Sequence, residues 1–437
     1  MDWNRWYSLK SYLRSSLWAV PLIAVAIYAA VKPLTEMLGR WMIRQAILDP
    51  KTGFLGLSMT GARSFLGDIV SADLGFLVFT FGSLLVAIQV AGGQYTPRII
   101  ATTLLRDNVI RSISGLFVFT MLFADRTLSW MGENEVHQLQ VFLAALFGFA
   151  SVVAFLFLID YAAKSLRPVS LVARVGKHGM EVIESVYPAP TTGATTPPER
   201  NNERGVPDRI VRHRGKSGIV LAVNLERLVA KARRTNCVIA FVPQVGDFVA
   251  VDEPLFYLYG NSGAIDESRL RTLVAFGTER TMEQDPMFAF RILVDIALKA
   301  LSAAINDPTT AVLAIDQLHR LLRVVGKRSL HIEEMMDRSG RVRVILRTPN
   351  WEDFVHISFR EIRQYGAGSI QIARRLRAAI ENLIQSLPEQ RHDALRVELT
   401  LLDRAIVSQF TFPEDLALAR IPDLQGLGGS TASTAND

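Results

Sequence analysis

The stretch VHQLQVFLAALFGFASVVAFLFLI, residues 136–159, decides how the rest of the chain is read. It contains no Asp, Glu, Lys or Arg over its whole length. A helix rises about 1.5 Å per residue, so about 20 apolar residues cross the roughly 30 Å hydrocarbon core of a bilayer. This stretch meets that length, and a soluble core helix seldom needs it. Outward toward the N-terminus three more stretches of the same kind appear. Ser15 to Leu38 is charge-free from Ser15 to Val31. Leu74 to Gly93 lies in a charge-free interval between Asp73 and Arg98. Val109 to Leu128 is charge-free only from Ser112 to Ala124, and crosses if Arg111 snorkels at one end while Asp125 and Arg126 sit at the other interface. After Lys164 the text changes to ordinary soluble protein, rich in Arg and Glu. The expected architecture is an α-helical membrane domain of about four transmembrane helices, followed by a cytoplasmic α+β domain.

The chain has 437 residues, 49% of them hydrophobic, and a formal net charge of +6. That small excess forms no basic stripe, so a nucleic-acid partner is not expected. Its Lys and Arg serve better as topology signals. Arg5, Lys10 and Arg14 precede the first span, and Arg98, Arg106 and Arg111 lie between the second and third. Lys164, Arg167, Arg174 and Lys177 follow the fourth, while Glu133 and Glu135 occupy the opposite connection. Both termini are therefore expected in the cytoplasm, against one dissenting loop (Arg40, Arg44, Lys51, Arg63). The basic start and small residues near Ala29 resemble a signal peptide, but three further spans make the first a retained anchor.

Gly92-Gly93-Gln94-Tyr95-Thr96-Pro97-Arg98 reads as a helix stop followed by a helix start, with Thr96 as cap and Pro97 in the first turn. It predicts an amphipathic elbow on the inner surface, whose plain role is to join two spans and whose sharper role, for Gly92, Gly93, Gln94, Pro97 and Arg98, is a gate or lipid sensor. Ala144, Gly148, Ser151 and Ala154 form a small-residue seam that allows close helix approach, within one subunit or between subunits. Asp160 at the end of the fourth span reads as a solvated end.

The organisation beyond the membrane domain (1–165) is expected as follows. Residues 166–205 connect, with a Pro, Thr and Gly-rich linker. Residues 206–260 form a small β-rich module: a strand at Gly218–Val223, a helix capped by Asn224, and strands at Cys237–Val242 and Leu255–Tyr259. Val245, Gly246, Asp247, Val249 and Leu255 resemble the half-repeat of biotinyl/lipoyl-type barrel-sandwich modules, which implies a barrel-sandwich-like fold. The Met-Lys-Met acceptor is missing, so no acylated cofactor arm is expected. Gly215-Lys216-Ser217 lacks the glycine that a phosphate loop needs five positions earlier, where Ile210 stands. Cys237 is the single cysteine and reads as a small apolar strand residue. Residues 261–425 are expected to be mostly helical and 426–437 a disordered tail.

The most structured text is RTMEQDPMFAFRILVDIALKALSAAINDPTTAVLAIDQLHRLLRVVG, residues 280–326. Asp285-Pro286 and Asp307-Pro308 each open a helix, Asp as cap and Pro in the first turn. Phe290, Leu293, Val294, Ala297 and Leu301 form one apolar face, and Arg291, Asp295 and Lys299 a polar stripe at four-residue steps. On charge and capping alone this is a pair of capped helices with a surface ladder.

These segments together resemble a family of bacterial predicted inner-membrane proteins known only as a domain of unknown function, number 2254. The likeness rests on Gln94 to Arg98 with Arg106-Asp107, on the Val245 to Val249 turn, and most specifically on Gln284-Asp285-Pro286, Asp295-Ile296-Ala297 and Ala300 to Pro308. The family carries Arg at the position of Lys299 and Pro at that of Ala303. The resemblance implies a multi-pass inner-membrane protein and gives no activity. It does imply that the Gln284 to Pro308 region exceeds routine capping, which makes Gln284, Asp285, Asp295, Lys299, Asn306 and Asp307 a candidate functional cluster.

Scattered histidines, no nucleophile elbow and no phosphate loop argue against an enzyme, and no cofactor or metal is expected. Two functions fit the parts. One is a homo-oligomeric channel or transport-type protein, gated by its cytoplasmic domain, that passes a small solute or ion. The other is a sensor or scaffold coupling the state of the lipid bilayer to cytoplasmic partners.

Overall fold

The computed structural model describes residues 3–16, 19–44, 58–94, 107–131, 138–165, 167–191, 205–330 and 334–429. The chain divides into two units: Tyr12–Gly93 with Ile99–Arg167, and Met1–Ser11 and Gln94–Arg98 with Pro168–Asp437. After α1 (Trp3–Ser15), the first of these units holds α2 (Ala19–Arg44), α3 (Met59–Gln94), α4 (Asn108–Trp130) and α5 (Gln138–Ser165). Each of α2 to α5 is long and apolar enough to cross a membrane. The second and first spans run further than the sequence implied. Most of the expected loop from Gly39 to Ala72 is helix, and its Arg63 donates to the Met131 carbonyl (2.9 Å) at the end of α4.

Apolar residues on both sides of these helices follow from their solvent. Lipid gives them no hydrophobic reason to hide, so packing and small-residue contacts hold the bundle. Phenylalanines do much of this. Phe76 stacks on Phe155 with ring centroids 4.2 Å apart, and Phe147 meets Phe119 and Phe123 edge-on at 5.2 and 5.5 Å.

The other unit begins with α6 (Pro168–Val186), followed by two sheets. The larger is ordered β1-β5-β3-β8-β7, from β1 (Arg209–Arg212), β5 (Pro254–Gly260), β3 (Cys237–Phe241), β8 (Val342–Ile345) and β7 (Glu334–Met336). The smaller is β4-β2-β6, from β4 (Phe248–Val249), β2 (Gly218–Val223) and β6 (Val274–Gly277). α7 (Leu225–Thr235) is capped by Asn224, whose side chain accepts from the Arg227 amide at 3.1 Å, and it closes the core of Val220, Leu228, Ile239, Phe256 and Val344.

The expected barrel-sandwich is not what the strands form: among the described residues there is no closed barrel. The strands of 206–260 are divided between two sheets, and the central β3 pairs in parallel with β8, a strand from beyond residue 340. The short Val245–Val249 motif describes one turn, and a turn does not dictate how distant strands close. The outer face of the small sheet (Ile219, Leu221, Ala222, Ala275) is covered by Trp3 and Tyr7 of α1.

The helices of this unit are α8 (Glu267–Arg271), α9 (Pro286–Ala300), α10 (Pro308–Val325), α11 (Trp351–Gly366), α12 (Ile370–Ser386), α13 (His392–Gln409) and α14 (Pro413–Ala419). α9 lies at their centre, in contact with α6, α10 and α11, and buries Phe288, Phe290, Leu293, Ile296 and Ala297. Its approach to α6 is close: a Cβ on Gly179 would lie 2.9 Å from the Ala289 methyl. The segment 426–429 departs from the disordered tail expected from composition. Arg374, fully buried, donates to the carbonyls of Ile421 (3.0 Å), Gly428 (3.2 Å) and Gly429 (2.6 Å), and Asp423 accepts from the amides of Gln425, Gly426 and Gly428. Composition carries no sign of such long-range bonds. Residues 430–437 lie outside the described residues.

Candidate functional site

The six residues singled out between Gln284 and Pro308 occupy separate places. Gln284 accepts the Val223 amide at 3.0 Å and ties the start of α9 to β2. Asp285 caps α9, its Oδ1 accepting the Phe288 amide at 3.2 Å. Asp295 pairs with Arg291 (2.6 Å), whose guanidinium also grips both carboxyl oxygens of Glu361 on α11 at 2.7 and 3.0 Å. Lys299 is exposed. Asn306 takes a left-handed conformation (φ 48°) and Asp307 caps α10, accepting from the Thr310 amide and hydroxyl. α9 has 15 residues, so about 22 Å of helix separate Asp285 from the Asn306-Asp307 turn. They do not form one cluster. The repeated Asp-Pro signature marks two helix starts at opposite ends of one helix.

Asp285 is more than a cap. It is 4% exposed, and its Oδ2 accepts no hydrogen bond among the described residues. That oxygen faces the Arg280 Nε at 4.0 Å, while Arg280 donates to the Gly246 carbonyl at 2.8 Å. Gly246 sits at φ 95°, and a Cβ there would lie 2.4 Å from Oδ2. Burial pushes the Asp285 carboxyl up to about 6, against the downward pull of Arg280 and of the Phe288 and Met287 amides; Asp247 adds a smaller upward push. Burial likewise raises the Tyr187 phenol, with the charges of Asp285 and Asp353 adding to it.

At the expected elbow, α3 runs unbroken through Gly92 and Gly93 to Gln94. Both glycines are helical, and a Cβ on Gly93 would meet nothing within 4 Å. Pro97 and Arg98 lie outside the described residues, as does the amphipathic segment that follows.

Sequence reasoning missed Asp73. The inward stripe of α3 is Ala62, Leu66, Ile69, Asp73, Leu77, Thr80, Leu84 and Ala87, at steps of three or four residues. Asp73 occupies the middle of it and is 1% exposed. Beside its carboxyl is the Ser151 hydroxyl of α5, yet neither carboxyl oxygen makes a hydrogen bond of regular geometry. Ser151 donates instead to the Thr120 hydroxyl of α4 at 3.3 Å, and both are fully buried. Drawing the span from Leu74 left Asp73 just outside it. The helical period of the stripe, followed back to Ala62, would have placed it inside. Among the described residues no group of His, Cys, Asp and Glu is arranged to hold a metal.

Residues 14–382 match the family model described as a predicted membrane protein, DUF2254. The chain belongs to this family. An uncharacterized protein of Mycobacterium bovis is similar to it, 25% identical over 430 residues that cover 95% of this chain and 81% of the relative. Uncharacterized proteins from two strains of Mycobacterium tuberculosis show the same identity and coverage. No solved structure matches.

Further residues of this DUF2254 chain bear on their sequence readings. The small-residue seam of α5 is used within the chain: a Cβ on Gly148 would lie 3.1 Å from Ile69 of α3, and Ala144 and Ser151 are fully buried. Arg111 is buried and donates to the Leu13 carbonyl at 2.9 Å. Asp107 caps α4 through the Val109 amide (2.9 Å) and accepts the Tyr161 hydroxyl at 2.6 Å, joining α4 to α5. Asp160 pairs with Lys164 at an exposed end, as its position suggested.

Proposed function

We propose that this chain is a transport-type protein of the bacterial inner membrane that lets a small ion cross, working as a homo-oligomer with both termini and the C-terminal unit in the cytoplasm. The observation that carries this reading is Asp73, a carboxyl buried in the inward stripe of a helix long enough to span the bilayer. A charged or titratable group there is costly in lipid, and such groups mark ion paths far more often than they serve packing. The topology is supported by the Lys and Arg flanks. It is supported too by the packing of Trp3 and Tyr7 on the sheet of the C-terminal unit, which four crossings allow. A second reading, a sensor or scaffold that couples the state of the membrane to cytoplasmic partners, is favoured by Asp285, a carboxyl buried in the C-terminal unit. The test is flux. Full-length protein in liposomes is expected to raise permeability to at least one of H⁺, Na⁺, K⁺ and Cl⁻ above protein-free vesicles, and to migrate as an oligomer in native mass spectrometry. Vesicles that stay tight to all four would favour the sensor.

A further inference from the structure

We propose that Asp73 is a proton-binding site inside the membrane bundle, and that the ion crossing it is the proton, handed along the hydroxyls of Ser151 and Thr120. The inference rests on the ion-passage reading and names its cargo. The geometry distinguishes a proton from a metal cation. A bound sodium or potassium ion needs several oxygens converging on one point. Among the described residues the carboxyl lies beside one hydroxyl, with no hydrogen bond of regular geometry between them, and a second hydroxyl is bonded to the first at 3.3 Å. That is a chain, suited to passing a hydrogen from oxygen to oxygen, and it links three different helices: α3, α5 and α4. The step is a simple equilibrium. The Asp73 carboxylate takes a proton to become the acid. The proton comes from a hydronium ion, which leaves as water; the acid gives it to the Ser151 oxygen as the Ser151 hydroxyl hydrogen passes to Thr120 and the Thr120 hydroxyl hydrogen passes to a water, and the Asp73 carboxylate is restored.

Among the described residues the group that acts on the Asp73 carboxyl is a hydroxyl and not a charge. Ser151 faces it from α5, and from α4 Thr120 does so through Ser151. On α2, Tyr28 lies edge-on to Phe119 (6.4 Å), while Lys32 and Glu36 pair with each other and lie toward Trp130 at the end of α4. Arg111 is nine residues from Thr120 and is turned onto Leu13; Asp125 and Arg126 are five and six residues from it. Asp160 and Lys164, nine and thirteen residues from Ser151, pair with each other. On α3 itself Arg63 reaches Met131, and Asp68 is exposed. A carboxyl that only glued two helices would do so equally well as an amide, whereas a proton site would not.

The test uses full-length protein in vesicles of phosphatidylcholine and phosphatidylglycerol loaded with a pH-sensitive dye, with a potassium gradient and valinomycin supplying the potential. Wild type is expected to take up protons. Asp73→Asn, which keeps the size of the side chain and removes its titration, is expected to lose uptake by about tenfold or more. Asp73→Glu is expected to retain part of it, and Ser151→Ala to slow it. A parallel readout needs no variant: a hydrophobic carbodiimide adds to protonated carboxyls in lipid, and mass spectrometry is expected to find its adduct on Asp73, less at higher pH. Unchanged proton uptake in a folded Asp73→Asn protein overturns the inference and leaves ion passage standing. So does wild-type flux of Na⁺, K⁺ or Cl⁻ without protons. No flux of any ion, with no adduct on Asp73, overturns both.

Discussion

Replacing Asp285 by Asn isolates the energy stored in one buried carboxyl. Asn caps a helix about as well as Asp, so the bond to the Phe288 amide is retained. Only the titration is removed. Burial raises the native carboxyl from 3.8 to about 6, so between those values the folded chain holds a proton that the unfolded chain has lost. Stability from this group is therefore fully present below about pH 4 and is lost as pH rises through about 6. A shift of about two units is worth about 3 kcal/mol at 1.36 kcal/mol per unit. Thermal unfolding of the C-terminal unit, followed by intrinsic fluorescence in the full-length protein in detergent, measures it. Relative to wild type, the Asn variant is expected to gain about 3 kcal/mol between pH 4 and pH 8, so it melts higher at pH 8. At pH 4 the two are expected to differ little. A constant difference across that range, or an Asn variant less stable at pH 8, would show that Asp285 is held charged by Arg280, and would refute the burial argument.

Three further perturbations test other contacts. Gly246→Ala places a methyl on the Asp285 carboxyl in a left-handed turn, and is expected to lower stability by about 1–3 kcal/mol in the same melting experiment. Gly148→Val forces a side chain against Ile69 and is expected to cost about 1–3 kcal/mol in the membrane bundle, with Ile69→Ala restoring much of it in the double variant. Arg374→Met leaves the carbonyls of Ile421, Gly428 and Gly429 without their donor; limited proteolysis is expected to cut between 421 and 429 in the variant while wild type resists.

The membrane helices were legible because lipid imposes a length and a composition that few soluble segments meet. Residues 136–159 alone announced them. The Asp-Pro helix starts were equally plain, since capping is chemistry local to three or four residues. What stayed hidden is non-local. The pairing of β3 with β8 joins Ile239 to Val344 across more than a hundred residues, and no pattern near either residue announces it. Arg374 reads as one more helix surface charge until the strap of 421–429 is seen folded over it. The six-residue cluster failed as a group because recurrence of a signature in sequence says nothing of distance in space. Asp73 was missed for the opposite reason. The rule that spans lack charge moved the span's edge past Asp73.

We propose Asp73, and not the Gln284 to Pro308 region, as the centre of function. Proton uptake by Asp73→Asn and Asp285→Asn vesicles, measured side by side at equal protein content, tests that directly. The prediction is that Asp73→Asn falls about tenfold or more while Asp285→Asn stays within about twofold of wild type. Loss of uptake in Asp285→Asn with Asp73→Asn fully active would contradict it.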